Sequence, residues 1–190
     1  MSRRQEALDL LHAWVENEGL RNHMKSVEAA VRSYARRFGE DEERWGLAGL
    51  LHDLDWEKHP EEHPLRAVAE LRARGFDEDV IHAILAHRHH FTGVAPETLL
   101  DRTLYACDEI TGLVTASALV RPNGIDDLEA KSVRKKMKDK AFAAGVDREE
   151  VKHGAELLDV ELTEHIQNVI EAMRDIAPEL GLTAAQLRRA

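Results

Sequence analysis

The chain has 190 residues, of which 33% are charged and 5% aromatic, and its 36 acids against 26 Lys plus Arg give a formal net charge of −10. That length can bury one sizeable core, and the acidic balance argues against a general affinity for phosphate backbones, so no nucleic-acid polymer is expected as a partner. The single cysteine, Cys107, excludes an intrachain disulfide and a CxxC zinc site and suits a reducing compartment.

The amino-terminal stretch alternates charge with leucine. It has neither the apolar segment of a signal peptide nor a run of about 20 apolar residues, so a cytoplasmic protein with no membrane contact is expected. From Arg3 to Glu16, Ala7, Leu8, Leu11 and Val15 recur at helical spacing, with Gly19 as a stop. Asn22 offers the N-cap of a second helix whose buried stripe is Met24, Val27, Val31, Tyr34, Ala35 and Phe38, with Gly39 at its end. His23 falls in the first turn of that helix, one position off the stripe.

Asp41 to Leu51 reads as a third helix, acidic at its start as the macrodipole prefers, and it delivers His52 and Asp53 side by side. Neighbours on a helix point about 100° apart, so both can face one site only if the helix ends there and the backbone turns away. Leu54 to Pro64, with two prolines and several acids, reads as a loop. Pro64 to Ala73 restarts a helix closed by Gly75. Asp77 caps another, with Val80, Ile81, Ile84 and Leu85 inside and His87 at its far end. His63 and His87 thus bracket the open ends of a helical hairpin.

Pro96 opens a long helix to about Leu119, with an inner row Leu100, Leu104, Cys107, Thr111, Val114 and Ala118 and with Asp108 on its margin. A carboxylate there costs several kcal/mol to desolvate unless a partner or a cation answers it. After Arg121-Pro-Asn-Gly, Leu128 to Lys140 carries Lys131, Arg134, Lys135, Lys136, Lys138 and Lys140. Asp147 with Glu150 resembles a capping box opening Glu149 to Leu158, Leu162 to Ile176 is a last long amphipathic helix, and Thr183 with Gln186 caps a short one. With no alternating strand pattern, the expected class is all-α.

Seven of the eleven histidines (52, 59, 63, 82, 87, 89 and 90) fall between positions 52 and 90. The helix reading puts His23, His52, Asp53, His63, His87 and Asp108 at helix ends or inner margins. Imidazole nitrogens and carboxylate oxygens without thiolate suit Fe, Mn, Co, Ni or Zn, and six such ligands suffice for two ions sharing one carboxylate. Taken singly, His23 also reads as a cap or a surface residue and Asp108 as an ion-pair partner; taken jointly the set points to metal.

The order His, His-Asp, His, His, Asp, with the dyad after LLHD, resembles the HD-domain metal-dependent phosphohydrolase superfamily, and HPLRAVAEL, DEDVIHAILAH and LYACDEITGL look like its small bacterial stand-alone members. The resemblance implies a helical bundle: an HD-type metal-binding domain over residues 1–120 and a helical extension over residues 121–190 packed on it as one globular unit. It makes His23, His52, Asp53 and Asp108 ligands of a first ion, with His63 and His87 holding a second and Asp53 bridging, and it casts Asp53 and His52 as catalytic. One or two divalent ions are implied, with Fe, Mn, Co, Ni, Zn and Mg undistinguished. Pro64 stands after His63 where glycine is frequent, and Arg88 after His87 where a small polar residue is commoner.

The implied activity is hydrolysis of a phosphate ester of a nucleotide or another small phosphorylated metabolite. The alternatives are an HD-type di-iron oxygenase and a non-catalytic nucleotide-binding sensor, and a homo-oligomer is compatible with all three. His89 and His90 are candidate substrate contacts or loop residues, and Asp55 and Glu57 either orient ligands or lie on the surface. Lys131, Arg134 and Lys135 belong to a solvated helix face or hold a substrate phosphate.

Overall fold

The computed structural model describes residues 2–189. Among them there is no β-strand, only an isolated bridge between Gly124 and Thr183, so the fold is all-α. The chain divides into two compact units, 1–105 and 106–190, with the boundary inside one long helix.

The first unit begins with α1 (Arg3–Trp14), α2 (Glu18–Phe38) and α3 (Glu42–Leu51). Ser2 caps α1 through its hydroxyl, and Val15 is already extended, so the helix stops short of Glu16. Helix α2 starts at Asn17, not at Asn22: the Asn17 side chain accepts the Leu20 N–H at 3.0 Å. Gly19 is therefore no stop. It occupies the first turn of α2, where a short-chain residue is tolerated once a cap outside it holds the free N–H groups. The earlier start moves His23 into the second turn. Gly39, at φ 74°, ends the helix as expected.

Helix α3 is capped by Asp41 and lies against α2 at unusually short range. A Cβ on Gly49 would stand 2.8 Å from Glu28 Cα, a separation real side chains do not adopt, so only glycine lets the two backbones meet there. The contact is reinforced from α1, where Arg4 forks onto the buried carboxylate of Glu28 with bonds of 2.7 and 3.1 Å.

Helices α4 (Leu65–Ala73) and α5 (Glu78–Ala86) form the expected hairpin, joined by a turn through Gly75 at φ 71°. A single turn, α6 (His89–Thr92), precedes α7 (Leu99–Leu119). Helix α7 starts at Leu99, not at Pro96. Thr98 Oγ1 accepts the Asp101 N–H, while the buried Asp101 carboxylate accepts the N–H groups of Glu97 and Thr98. The core of this unit is built from Leu11, Met24, Tyr34, Leu50, Leu51, Leu54, Leu71, Ile81, Ile84 and Leu104, all fully buried.

The second unit takes the rest of α7 with α8 (Ala130–Met137), α9 (Arg148–Leu157), α10 (Leu162–Asp175), α11 (Ala177–Leu180) and α12 (Ala184–Leu187). The basic helix is shorter than Leu128 to Lys140: it ends at Met137, and Lys138 and Lys140 lie in the turns that follow. Asp147 caps α9 by accepting from Glu149 and Glu150, and Thr183 with Gln186 forms a complete capping box on α12. Gly154 of α9 meets α7 closely, since a Cβ would lie 2.6 Å from Ala106 Cα. The buried imidazole of His165 donates from Nε2 to the Ala106 carbonyl at 2.8 Å.

Candidate metal centre

Helix α3 ends at Leu51, and His52 is its C-cap, with turn structure from there to Pro64. This is the break the dyad needs. His52 remains close enough to helical geometry to point at α2, while Asp53 reaches the same space from the departing backbone. The close seat of Gly49 on α2 sets the distance, and His23 Nε2 meets His52 Nε2 at 3.3 Å. From the hairpin, His63 and His87 bring their Nε2 atoms to 3.1 Å.

Asp53 stands between the two histidine pairs. Its Oδ2 lies 3.4 Å from His52 Nε2 and 3.7 Å from His23 Nε2, while Oδ1 lies 3.3 Å from His63 Nε2 and 3.8 Å from His87 Nε2. Each oxygen therefore serves one pair. Burial alone would raise the Asp53 carboxyl, but the imidazoles of His52, His87 and His23, when protonated, outweigh it by their positive charge and hydrogen bonds and hold the group well below the usual carboxylate range.

The tautomers follow from what each Nδ1 faces. His52 Nδ1 lies 2.8 Å from the Gly49 carbonyl and His87 Nδ1 lies 2.5 Å from the Ile84 carbonyl, while His63 Nδ1 lies 2.7 Å from Asp55 Oδ1. Those oxygens only accept, so each Nδ1 carries the hydrogen and each Nε2 presents a lone pair. Lone pairs of His63 and His87 facing one another at 3.1 Å repel unless a proton or a cation lies between them. Nitrogens about 2.1 Å from a common ion stand about 3.0 Å apart at right angles and about 3.4 Å apart in a tetrahedron, the range in which these atoms are found. Asp53, His63 and His87 each offer a ligand atom within 4.8 Å of the others. The residues fit a cation.

Asp55 is the support the sequence offered only as an option. Fully buried, it bonds His63 with one oxygen and accepts the Ala67 N–H with the other at 2.8 Å, so the start of α4 fixes the carboxylate and the carboxylate fixes the ring. Glu57 does something else. It accepts the N–H groups of Glu16 and Asn17, which hold its carboxyl below the usual range, and thereby anchors the turn before α2.

His82 Nδ1 lies 3.0 Å from Asp101 Oδ2, a pairing not anticipated in the sequence. The rings of His89 and His90 lie 3.7 Å apart, with His89 also 5.5 Å from Tyr105. Arg88 places its guanidinium 5.5 Å over the indole of Trp56, and Trp56 meets the His63 ring edge-on at 5.2 Å. Trp56 is 40% exposed, which is high for an aromatic of that size.

Asp108 lies on α7, three residues past Tyr105, and belongs to the second unit. Its neighbour Cys107 is fully buried, and burial followed by the Asp108 charge pushes that thiol far up, which leaves it no role as a nucleophile. In the same unit Lys131 pairs with Glu129 at 2.7 Å, and Arg134 bonds Thr163 Oγ1 at 2.6 Å and Glu161 at 3.3 Å. Lys135 is an exposed residue of α8.

No helix among the described residues is long and apolar enough to cross a membrane. Comparison with curated proteins finds no match. Residues 20–113 match the family model of the HD domain, a segment that contains the imidazole cage and Asp108 alike. Over that segment the chain belongs to the HD-domain superfamily.

Proposed function

We propose that the protein is a metal-dependent phosphohydrolase acting on a nucleotide or another small phosphorylated metabolite. The observation that carries this reading is the division of Asp53 between two histidine pairs, one carboxylate oxygen to each. His23 and His52 with Asp53 Oδ2 would hold one ion, and His63 and His87 with Asp53 Oδ1 a second. The resemblance to the HD domain also implies Asp108 as a ligand. Divalent ions so held supply a nucleophile from water near pH 7 and neutralise charge on a phosphoryl group.

The chain's own residues do the rest. Backbone carbonyls at Gly49 and Ile84 and the Asp55 carboxylate lock three imidazoles in the tautomer that turns each Nε2 lone pair toward Asp53. Arg88, seated over Trp56 and next in sequence to His87, brings a guanidinium whose planar fork matches phosphate oxygens. His89 and His90, which follow it in the chain, are further candidate substrate contacts. The half-exposed Trp56 offers an apolar face beside the charged groups, which suits a substrate with a planar portion.

Asp53→Ala tests the reading. The variant should lose most of its bound metal and nearly all hydrolysis of phosphorylated metabolites, measured by elemental analysis and phosphate release on the same preparation. Full metal content with undiminished turnover would remove the central assignment. Stoichiometric iron with a mixed-valence spectrum, and no phosphate release, would move the protein to the oxygenase class.

A further inference from the structure

The second unit holds a cavity of about 480 Å³ lined by Arg134, Lys138, Lys140, Arg148 and Lys152, with Glu149 as the one acid. Five cations against one carboxylate gather here in a chain whose net charge is −10. Glu149 is already answered by Lys152 at 2.7 Å, and Arg134 by Glu161 at 3.3 Å. Lys138 and Lys140, in the turns after α8, make no ion pair among the described residues.

Arg148 organises the wall. Its guanidinium donates to the carbonyls of Ala143 and Val146 at 2.7 and 2.6 Å and to those of Asp139 and Phe142, which draws the segment between α8 and α9 around a fixed positive charge. Its buried Nε has no hydrogen-bond partner among the described residues. Arg148 also opens α9, so the positive end of that helix dipole lies at the same wall. The remaining lining comes from Met137 and Leu162, which are apolar.

We infer that this cavity is a binding site for a small polyanion that carries an apolar portion, as a nucleoside polyphosphate does. The charged side takes the phosphates, and Met137 with Leu162 takes the uncharged part. Several phosphate charges are needed to repay the mutual repulsion of the lysines, and the volume admits one molecule of nucleotide size. The basic run that stands out in the sequence thus acts through Lys138 and Lys140 at its end, together with Arg148 and Lys152 from α9. This proposal does not rest on the hydrolase reading.

The test is calorimetric titration of the full chain with ATP and, separately, with inorganic pyrophosphate. Both should bind saturably, ATP the more tightly, and both should weaken as ionic strength rises. Lys138→Ala/Lys140→Ala/Lys152→Ala, all at exposed positions, should weaken both by at least about tenfold with an unchanged circular dichroism spectrum, a loss of about 1.4 kcal/mol. Met137→Ala should weaken ATP and leave pyrophosphate as it was. Asp53→Ala, which disables the imidazole cage, should still bind both probes saturably, and adding the triple substitution to it should remove that binding, which separates this site from the cage. Unchanged affinity in the triple variant, loss of binding in Asp53→Ala, or no saturable binding of either probe would overturn the proposal.

Discussion

In the first unit the imidazoles of His52, His63 and His87 are buried, and each is held by a backbone atom or a second side chain, as Asp55 holds His63 and the Gly49 carbonyl holds His52. In the second unit the conspicuous charges lie along an open cavity, and two of the lysines make no ion pair among the described residues. The contrast separates two ways of handling an anion or a cation. A cage fixes a few ligand atoms to within fractions of an ångström and depends on close backbone contact. A basic cavity sums many loosely placed charges and tolerates the loss of any one.

Four substitutions sharpen the contrast. Gly49→Ala should be the most damaging, because its Cβ meets the backbone of α2 at Glu28 and cannot be accommodated by a rotamer change. A loss of about 3 kcal/mol in stability, at the upper end of overpacking costs, and a fall in bound metal are expected from denaturant unfolding and elemental analysis. Retention of both would show that helix spacing does not set the His23–His52 distance.

His165 gives the second unit its own pH signature. Burial, partly opposed by its bond to the Ala106 carbonyl, lowers its pKa to about 4. The folded value lies below the unfolded one of about 6.5, so the unfolded chain binds more protons between them. Stability from this group is therefore complete above about pH 6.5 and lost as pH falls through about 4, a change of about 3 kcal/mol. His165→Gln, which keeps an N–H for Ala106 but does not titrate, should flatten that part of the stability–pH curve. An unaltered slope would mean that other groups carry it.

Asp55→Asn comes next. It removes the charge behind His63 while nearly preserving shape, and it should weaken metal uptake about 10- to 100-fold, read by competition with a chelating dye. Affinity equal to that of the parent chain would make Asp55 a purely structural residue. Lys131→Ala is the smallest change. Its pair with Glu129 is largely exposed and screened by solvent, so the midpoint of thermal unfolding should stay where it is in the parent chain.

The cage was legible in the sequence to the extent that residue type and spacing reveal it. His52 and Asp53 announce themselves because an apolar run ends at them, and His63 and His87 because a hairpin must bring its open ends together. What the sequence hides acts through the backbone. Gly49 looks like an ordinary helical residue until α2 is seen against it, and Glu57 and Asp101 look like surface acids until the N–H groups they accept are located. The start of α2 is hidden for the same reason: Asn17 and Asn22 are equally good caps in a string, and the choice falls to Asn17 because its side chain reaches Leu20. Asp55 and Glu57 are two positions apart and similar in chemistry, yet one is sealed behind His63 and the other clasps a distant turn. Only the folded path separates them.

All three tryptophans, Trp14, Trp45 and Trp56, fall in the first unit. Trp56 rests edge-on against His63 with the Arg88 cation above it. Its emission, read against that of Trp14 and Trp45, is thus an optical gauge built into the cage: whatever charges or displaces that imidazole alters quenching of the indole.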